Sequence, residues 1–385
     1  MNIKLMNKIA KVGTDVFGSA YAVSDAIENP DAIMVRSAKL HDMPLNKELL
    51  AIARCGAGVN NIPVDRCAEA GVVVFNTPGA NANAVKELAV CALLLASRDV
   101  VGGINWVSAI EDKSNIAKDV EAGKGQFAGC EIAGKTLGVI GLGAIGGLVA
   151  NVAKSLGMQV IGYDPYLSVA NALNLSRAVH VASGYDEIFQ NCDYITLHVP
   201  ATKDTAGFIN SAAMAQMKDG VKIINLARGE LVDADAMKAA IDSGKVSSYV
   251  VDFPSAELAG YQNVISIPHL GASTTESEDN CAVMAAHELC DFLENGNIVN
   301  SVNFPTVSVP KCGGARICVA HKNVPTMLSR ITTALADDGI NIENMGNGSK
   351  GEYAYTIVDT GSKIPPQIAD ELAAIEGIIR VRVIG

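Results

Sequence analysis

The chain of 385 residues is too long for one hydrophobic core and suits two or three domains, and with 49% apolar residues it can bury sizeable ones. A balance of 30 basic against 41 acidic residues gives a net charge of −11, which argues against bulk nucleic-acid binding and leaves any anionic ligand to a local basic pocket. No apolar run approaches a membrane span, no secretory leader is legible at the N-terminus, and nine scattered cysteines without a CxxC pair or a zinc-like set point to reduced thiols in a cytoplasmic protein with no bound metal.

Four short apolar runs come first, at 3–5, 32–35, 50–54 and 72–75, separated by helix-like or turn segments. This alternation predicts a small parallel sheet. The second run ends in Val35-Arg36-Ser37-Ala38-Lys39, two cations and a hydroxyl at a strand end. That pattern reads either as an anion-binding edge or as a solvated basic one. A glycine-containing loop, Gly56-Ala57-Gly58-Val59-Asn60, follows the third run, and residues 83–97 predict a buried helix because they are apolar on most sides.

The most informative stretch is Gly141-Leu142-Gly143-Ala144-Ile145-Gly146. It follows the apolar run 136–140, opens into a segment apolar at helical spacing, and precedes a second short strand that ends in Asp164. Glycines in that context, with an acid roughly 20 residues on, form a dinucleotide fingerprint. The first glycine permits the tight turn, the second lets backbone approach the pyrophosphate, and the third lets the helix sit close to the strand. Free N–H groups at the helix start face the phosphates. Asp164 would accept from the adenosine ribose hydroxyls and repel a 2′-phosphate, so NAD is expected rather than NADP. Strands at 136–140, 159–163, 194–197, 222–226, 248–251 and 264–267, with helices between them, fit a doubly wound dinucleotide domain.

Alcohol oxidation with a nicotinamide cofactor needs a base, a cation to hold the substrate, and a group to tune the base. Successive strand ends offer all three. Arg228 follows the run at 222–226, where a guanidinium can bind a carboxylate bidentately, although an ion pair with Glu230 or Asp233 is the alternative. Glu257 lies after the next strand and His269 after the last. Alone, the first is a solvated loop carboxylate and the second an ordinary loop histidine. As a set they make a carboxylate-tuned imidazole beside a cation.

Residues 275–295 predict a long helix that leads the chain back to the first domain, and 300–314 read as an extended linker. Strands at 315–320, 340–344, 353–358 and 378–384, with helices at 325–336 and 365–374, give a ferredoxin-like βαββαβ order.

The stretches Gly56-Ala-Gly-Val-Asn-Asn-Ile, Phe75-Asn-Thr-Pro, Leu137-Gly-Val-Ile-Gly-Leu-Gly-Ala-Ile-Gly, Leu197-His-Val-Pro, Asn225-Leu-Ala-Arg-Gly, Pro268-His-Leu-Gly-Ala-Ser-Thr and Val302-Asn-Phe-Pro span most of the chain. In them the chain resembles the D-isomer-specific 2-hydroxyacid dehydrogenases. The resemblance implies an α/β protein with two Rossmann-like lobes and a C-terminal ferredoxin-like βαββαβ unit similar to an ACT regulatory domain. The expected division is a discontinuous substrate-binding domain at 1–98 and 283–305, an NAD-binding domain at 99–282, a linker at 306–314 and the ACT-like unit at 315–385. The lobes are expected to close over the substrate.

The resemblance further implies His269 as proton acceptor, Glu257 as its partner and Arg228 as substrate clamp. Beside the fingerprint glycines, Ala144, Ile145 and Asp164, it carries cofactor contacts onto His198, Val199, Pro200, Leu226, Ala227, Arg228, Asp252, His269, Gly271 and Ala272. Backbone N–H groups of Gly58 and Val59 would hold a substrate carboxylate. Arg36, with Ser37 and Lys39, would hold the phosphate of D-3-phosphoglycerate, the substrate of the branch that opens serine synthesis. The alternatives are a hydroxypyruvate or glyoxylate reductase and a non-catalytic NAD-sensing interaction protein. In the tail, His321, Asn323 and Asn341 match a serine-binding pattern between paired domains, or serve only dimer pairing; a homodimer or homotetramer is expected. Two departures stand out. Leu258 replaces a usual proline, and Thr326 stands where a glycine is usual.

Overall fold

The computed structural model describes residues 1–312, 314–361 and 363–385; Gly313, inside the expected linker, and Ser362, inside the expected tail unit, lie outside the described residues. The chain forms two compact units, residues 1–81 with 275–385, and residues 82–274.

The first unit opens with five strands, β1 (Asn2–Met6), β2 (Ala22–Ser24), β3 (Ala32–Val35), β4 (Ala51–Arg54) and β5 (Val73–Asn76). They form an all-parallel sheet in the order β2-β1-β3-β4-β5. β3 is buried on both faces, as expected of a parallel strand written as a continuous apolar run. β2 escapes sequence reading because it is a short, half-exposed edge strand. Helix Thr275–Asn295 covers this sheet with Cys281, Ala282, Ala285, Ala286, Leu289, Phe292 and Leu293, a stripe at helical spacing.

The second unit holds β6 (Thr136–Ile140), β7 (Gln159–Tyr163), β8 (His180–Val181), β9 (Tyr194–Leu197), β10 (Val221–Asn225), β11 (Val246–Val251) and β12 (Val264–Ser266). They are all parallel, in the order β12-β11-β10-β9-β6-β7-β8. The order reverses between β6 and β9, and ligands bind at such a switch point, outside the carboxyl ends of the strands. Helix Ala82–Ser97 packs in this unit, where Val85, Ala89, Ala92 and Leu93 join Leu137, Val139 and Ile224 in one core.

The tail of the first unit is a four-stranded antiparallel sheet of β13 (Ala315–Lys322), β14 (Ile342–Lys350), β15 (Tyr353–Thr360) and β16 (Ile378–Ile384), in the order β14-β15-β13-β16. Alternation along β13 divides its side chains between two cores. Ile317 and Val319 pack with helices Met327–Asp337 and Pro366–Ala373. Cys318 and Ala320 join Phe75, Phe292 and Phe304 in the core under the parallel sheet. β14 runs well past the expected 340–344, because pairing with β15 carries a polar, glycine-containing edge that has no apolar run to announce it.

A buried ion pair fixes this tail. Arg316 and Asp359 are both fully buried, with Nε and Nη2 donating to the carboxylate at 2.6 and 2.8 Å. The same guanidinium donates to the Asn295 carbonyl at 2.7 Å, at the end of the long helix, and to the Val309 carbonyl at 2.9 Å. Burial works to raise the Asp359 carboxyl, but the bonds from Arg316 and the Cys312 N–H outweigh it and hold the group below the usual carboxylate range. Because the folded value is depressed, this contribution is present above the unfolded pKa and is lost as pH falls through the folded one.

Among the described residues no helix is long and apolar enough to cross a membrane, and no group of three or more His, Cys, Asp or Glu could hold a metal ion.

Asp359→Ala strands a buried guanidinium and is expected to cost about 3–5 kcal/mol, read as a lower urea midpoint. Arg316→Met combined with Asp359→Leu is expected to recover much of that loss.

Candidate active site

The fingerprint turn leaves β6 at the switch point. Gly141 has φ +92, and a Cβ there would lie 2.5 Å from the His198 carbonyl oxygen. A Cβ on Gly146 would lie 1.8 Å from the Gly141 carbonyl oxygen, so only glycine lets the helix close on the turn. Gly143 differs: nothing lies within 4 Å of its Cβ position. Helix Ala144–Ser155 begins there with no side-chain cap, so the N–H groups of Ala144 and Ile145 stand at an open cradle. That pairing of bare helix start and open space fits a pyrophosphate.

Asp164 follows β7; its carboxylate accepts from the Leu142 N–H at 3.0 Å and the Tyr166 N–H at 2.8 Å. The acid therefore ties the β7 end to the fingerprint turn. His198, Val199 and Pro200 follow β9 across the switch point. The His198 Nε2 lies 2.9 Å from the Thr196 hydroxyl, while Nδ1 is buried without a partner among the described residues. Burial pushes this imidazole down to about 4, so it is neutral at physiological pH. An orphaned buried ring nitrogen beside the open cradle is a second feature that fits a bound dinucleotide.

Three strand ends further along carry the other candidate groups. After β10, the buried Asn225 side chain accepts from the Ala227 and Arg228 N–H groups at 3.2 and 3.3 Å and donates to the Arg228 carbonyl at 2.8 Å. This side-chain turn presents Leu226, Ala227 and Arg228 in sequence. Among the described residues Arg228 makes no ion pair with Glu230 or Asp233; Asp233 instead caps helix Ala234–Asp242 through the Ala236 N–H at 2.9 Å. After β11, the buried Asp252 carboxylate accepts from the Leu270 and Gly271 N–H groups at 2.7 and 2.8 Å, and its carbonyl accepts from the His269 N–H at 3.1 Å. Burial pushes the Asp252 carboxyl up in spite of those bonds. The turn wrapped around Asp252 holds His269 at φ +54, exposed, with Gly271 and Ala272 following. Left-handed backbone at a non-glycine residue is uncommon and clusters at functional sites.

Phe253 lies between the two candidate groups. Its ring centroid is 4.5 Å from that of His269 and 5.4 Å from the Arg228 guanidinium carbon. The structure thus brings Arg228, His269 and Asp252 together around an aromatic ring that sequence reading passed over as loop. It does not bring Glu257 to His269. Glu257 is exposed, its carboxyl held below the usual range chiefly by its own backbone N–H, and no bond joins it to the imidazole among the described residues. Leu258, the residue in place of proline, buries its side chain in the core and anchors that turn.

In the first unit, Arg36 follows β3 and pairs through Nη2 with Glu278 at 2.7 Å. The backbone N–H groups of Ser37 and Ala38 donate to the Asn7 side chain at 3.1 and 2.8 Å, and Lys39 is exposed. Arg54, which sequence reading missed, ends β4 beside it and donates through Nε to the Arg36 carbonyl at 3.2 Å. A Cβ on Gly56 would collide with Arg54 Nη1, so the glycine makes room for the guanidinium. The N–H groups of Gly58 and Val59 have no protein partner among the described residues. The only sequence signal for Arg54 is a cation at a strand end just before a glycine loop.

In the tail, His321 is buried, with Nδ1 2.8 Å from the Lys322 carbonyl and Nε2 2.9 Å from the Thr356 hydroxyl. Asn323 donates to the Gly351 carbonyl at 3.1 Å, and Asn341 is exposed. Thr326 adopts φ +66, the left-handed conformation that favours glycine, before helix Met327–Asp337.

Two of the three fingerprint glycines are expected to fail differently on substitution. Gly146→Ala lowers the thermal midpoint, whereas Gly143→Ala leaves it unchanged and weakens NAD binding by calorimetry.

Residues 93–271 match the model of the D-isomer specific 2-hydroxyacid dehydrogenase NAD binding domain, and residues 317–377 match the ACT domain model. The chain is 32% identical over 349 residues to D-3-phosphoglycerate dehydrogenase of Haemophilus influenzae, covering 88% of this chain and 82% of that one. Among solved structures, NAD+-bound 3-phosphoglycerate dehydrogenase of Entamoeba histolytica is similar with a TM-score of 0.61 and 26% identity, covering 79% of this chain and 98% of its own. A glyoxylate reductase from Paecilomyes thermophila is similar with a TM-score of 0.65 and 26% identity, covering 78% of this chain and 98% of its own. With the cradle, the strand-end groups and these matches in hand, the chain belongs to the D-isomer-specific 2-hydroxyacid dehydrogenases, NAD-dependent oxidoreductases, and carries an ACT domain in its tail.

Proposed function

We propose that this enzyme oxidises D-3-phosphoglycerate at C2 to 3-phosphohydroxypyruvate, the opening step of L-serine synthesis. The observation that carries this reading is the pair of guanidiniums, Arg36 and Arg54, at adjacent strand ends beside the unpartnered N–H groups of Gly58 and Val59. Two cations suit a phosphate dianion, and backbone donors suit a carboxylate. The matched phosphoglycerate dehydrogenases support the same substrate. Arg36 exchanges Glu278 for the phosphate in this reading, with Ser37 and Lys39 as further donors.

The bound dinucleotide supplies the hydride acceptor. His269 takes the hydroxyl proton as the C2–H bond breaks, and in the reverse direction its protonated ring returns it. Arg228 binds the oxygen-bearing end of the substrate and polarises it. Glu257 is the carboxylate proposed to partner His269. The parallel sheet of the first unit is assigned to substrate and the second unit to the dinucleotide.

The quaternary and regulatory assignments rest on separate features. Helix Val100–Ser108 is apolar yet buries none of its residues, which supports a homodimer or homotetramer. L-serine is proposed as an effector through His321, Asn323 and Asn341. All nine cysteines are unpaired, which supports a cytoplasmic location.

NADH formation from D-3-phosphoglycerate tests the reading. His269→Ala is expected to lower kcat by about 10²–10⁴-fold while NAD affinity is kept. Arg36→Ala is expected to raise KM for D-3-phosphoglycerate and leave unphosphorylated 2-hydroxy acids unaffected. Near-normal turnover by His269→Ala, or a wild-type preference for glyoxylate or hydroxypyruvate, would overturn it.

A further inference from the structure

We infer that Phe253 is a positioning residue for the redox reaction: one aromatic ring sets the placement of both the His269 imidazole and the Arg228 guanidinium. The inference rests on the roles proposed above for those two groups.

Three observations converge on this ring. His269 and Arg228 belong to turns at different strand ends, and Phe253 is the side chain that both touch, at 4.5 and 5.4 Å. Its own position is over-determined. It follows Asp252, whose carboxylate is bound by the His269 turn, and it packs against the core under β10 and β11. The neighbouring turn packs close beside it: a Cβ on Gly229 would lie 3.4 Å from the Phe253 Cβ, at van der Waals contact.

Among the described residues the His269 ring has no hydrogen-bond partner, and Glu257 sits on a turn anchored away from it by Leu258. The face of Phe253 is then what restrains the ring in this conformation. An imidazole packed at a 46° tilt against an aromatic ring loses rotational freedom, and the guanidinium, whose Nη1 also donates to the Ala227 carbonyl at 2.7 Å, is drawn to the quadrupole of the same ring. Both effects order side chains that are otherwise exposed, without neutralising either. A flexible aliphatic residue would fill the volume and lose both restraints.

Phe253→Leu in the full-length enzyme tests this, with Phe253→Tyr as the conservative control. The expected result is a fall in kcat of about tenfold or more with KM for NAD kept, and restoration by the tyrosine, whose ring keeps the same face. Proton–carbon NMR of the six histidines gives a readout independent of turnover. The His269 resonance, assigned by its loss in His269→Ala, is expected to lose its ring-current shift in Phe253→Leu and keep it in Phe253→Tyr. An active wild type whose kcat and His269 resonance are both unmoved by Phe253→Leu would overturn the inference alone. A wild type that binds NAD but oxidises no 2-hydroxy acid would overturn the functional reading beneath it.

Discussion

A buried carboxylate organises the sheet edge that carries His269 in this enzyme. Asp252 accepts two consecutive backbone N–H groups, from Leu270 and Gly271, and its own carbonyl takes a third from His269. Hydrogen bonds to a charged acceptor are among the stronger ones in proteins. They compensate for the left-handed backbone at His269, which a histidine would otherwise leave. The imidazole is exposed because the chain is turned sharply around Asp252, and Phe253, the next residue, lies under it. Strand end, turn and aromatic platform form one device. The same logic recurs at Arg228, where the Asn225 side chain folds the backbone so that the guanidinium leaves the sheet edge.

The tail sheet is built into the first unit rather than appended to it. β13 contributes alternate residues to two cores, so this central strand is buried on both faces. Arginines make the polar part of that attachment. Arg316 and Arg382 bring cations to the carbonyl end of helix Thr275–Asn295, with Arg382 donating to the Phe292 and Leu293 carbonyls at 3.2 and 3.0 Å. Positive charge at a helix C-terminus is favourable, and here it also satisfies carbonyls that the helix cannot. The long helix thus links the tail sheet to the parallel sheet that carries Arg36 and Arg54, and Glu278, the partner of Arg36, lies on it.

Buried strands were legible in the sequence because burial on both faces writes itself as an unbroken apolar run. Thr136–Ile140 and Tyr194–Leu197 match that reading residue for residue. Ala22–Ser24 and His180–Val181 did not announce themselves, being short and at sheet edges. β14 is polar over most of its length and exists through pairing with β15. In the site, Arg228 and His269 were legible from their strand-end positions. Phe253 and Arg54 were not, since only folding sets Phe253 beside His269 and Arg228, and Arg54 beside Arg36. Glu257 has suitable spacing, but its distance from the imidazole depends on where Leu258 anchors, and no spacing encodes that.

The central claim is that the C2–H bond of the substrate breaks with its hydride passing to NAD. Mass spectrometry of the NADH formed from D-3-phosphoglycerate deuterated at C2 tests it most directly. Every NADH formed is expected to carry the deuterium. Unlabelled NADH, with the deuterium retained in the product or released to water, would contradict it.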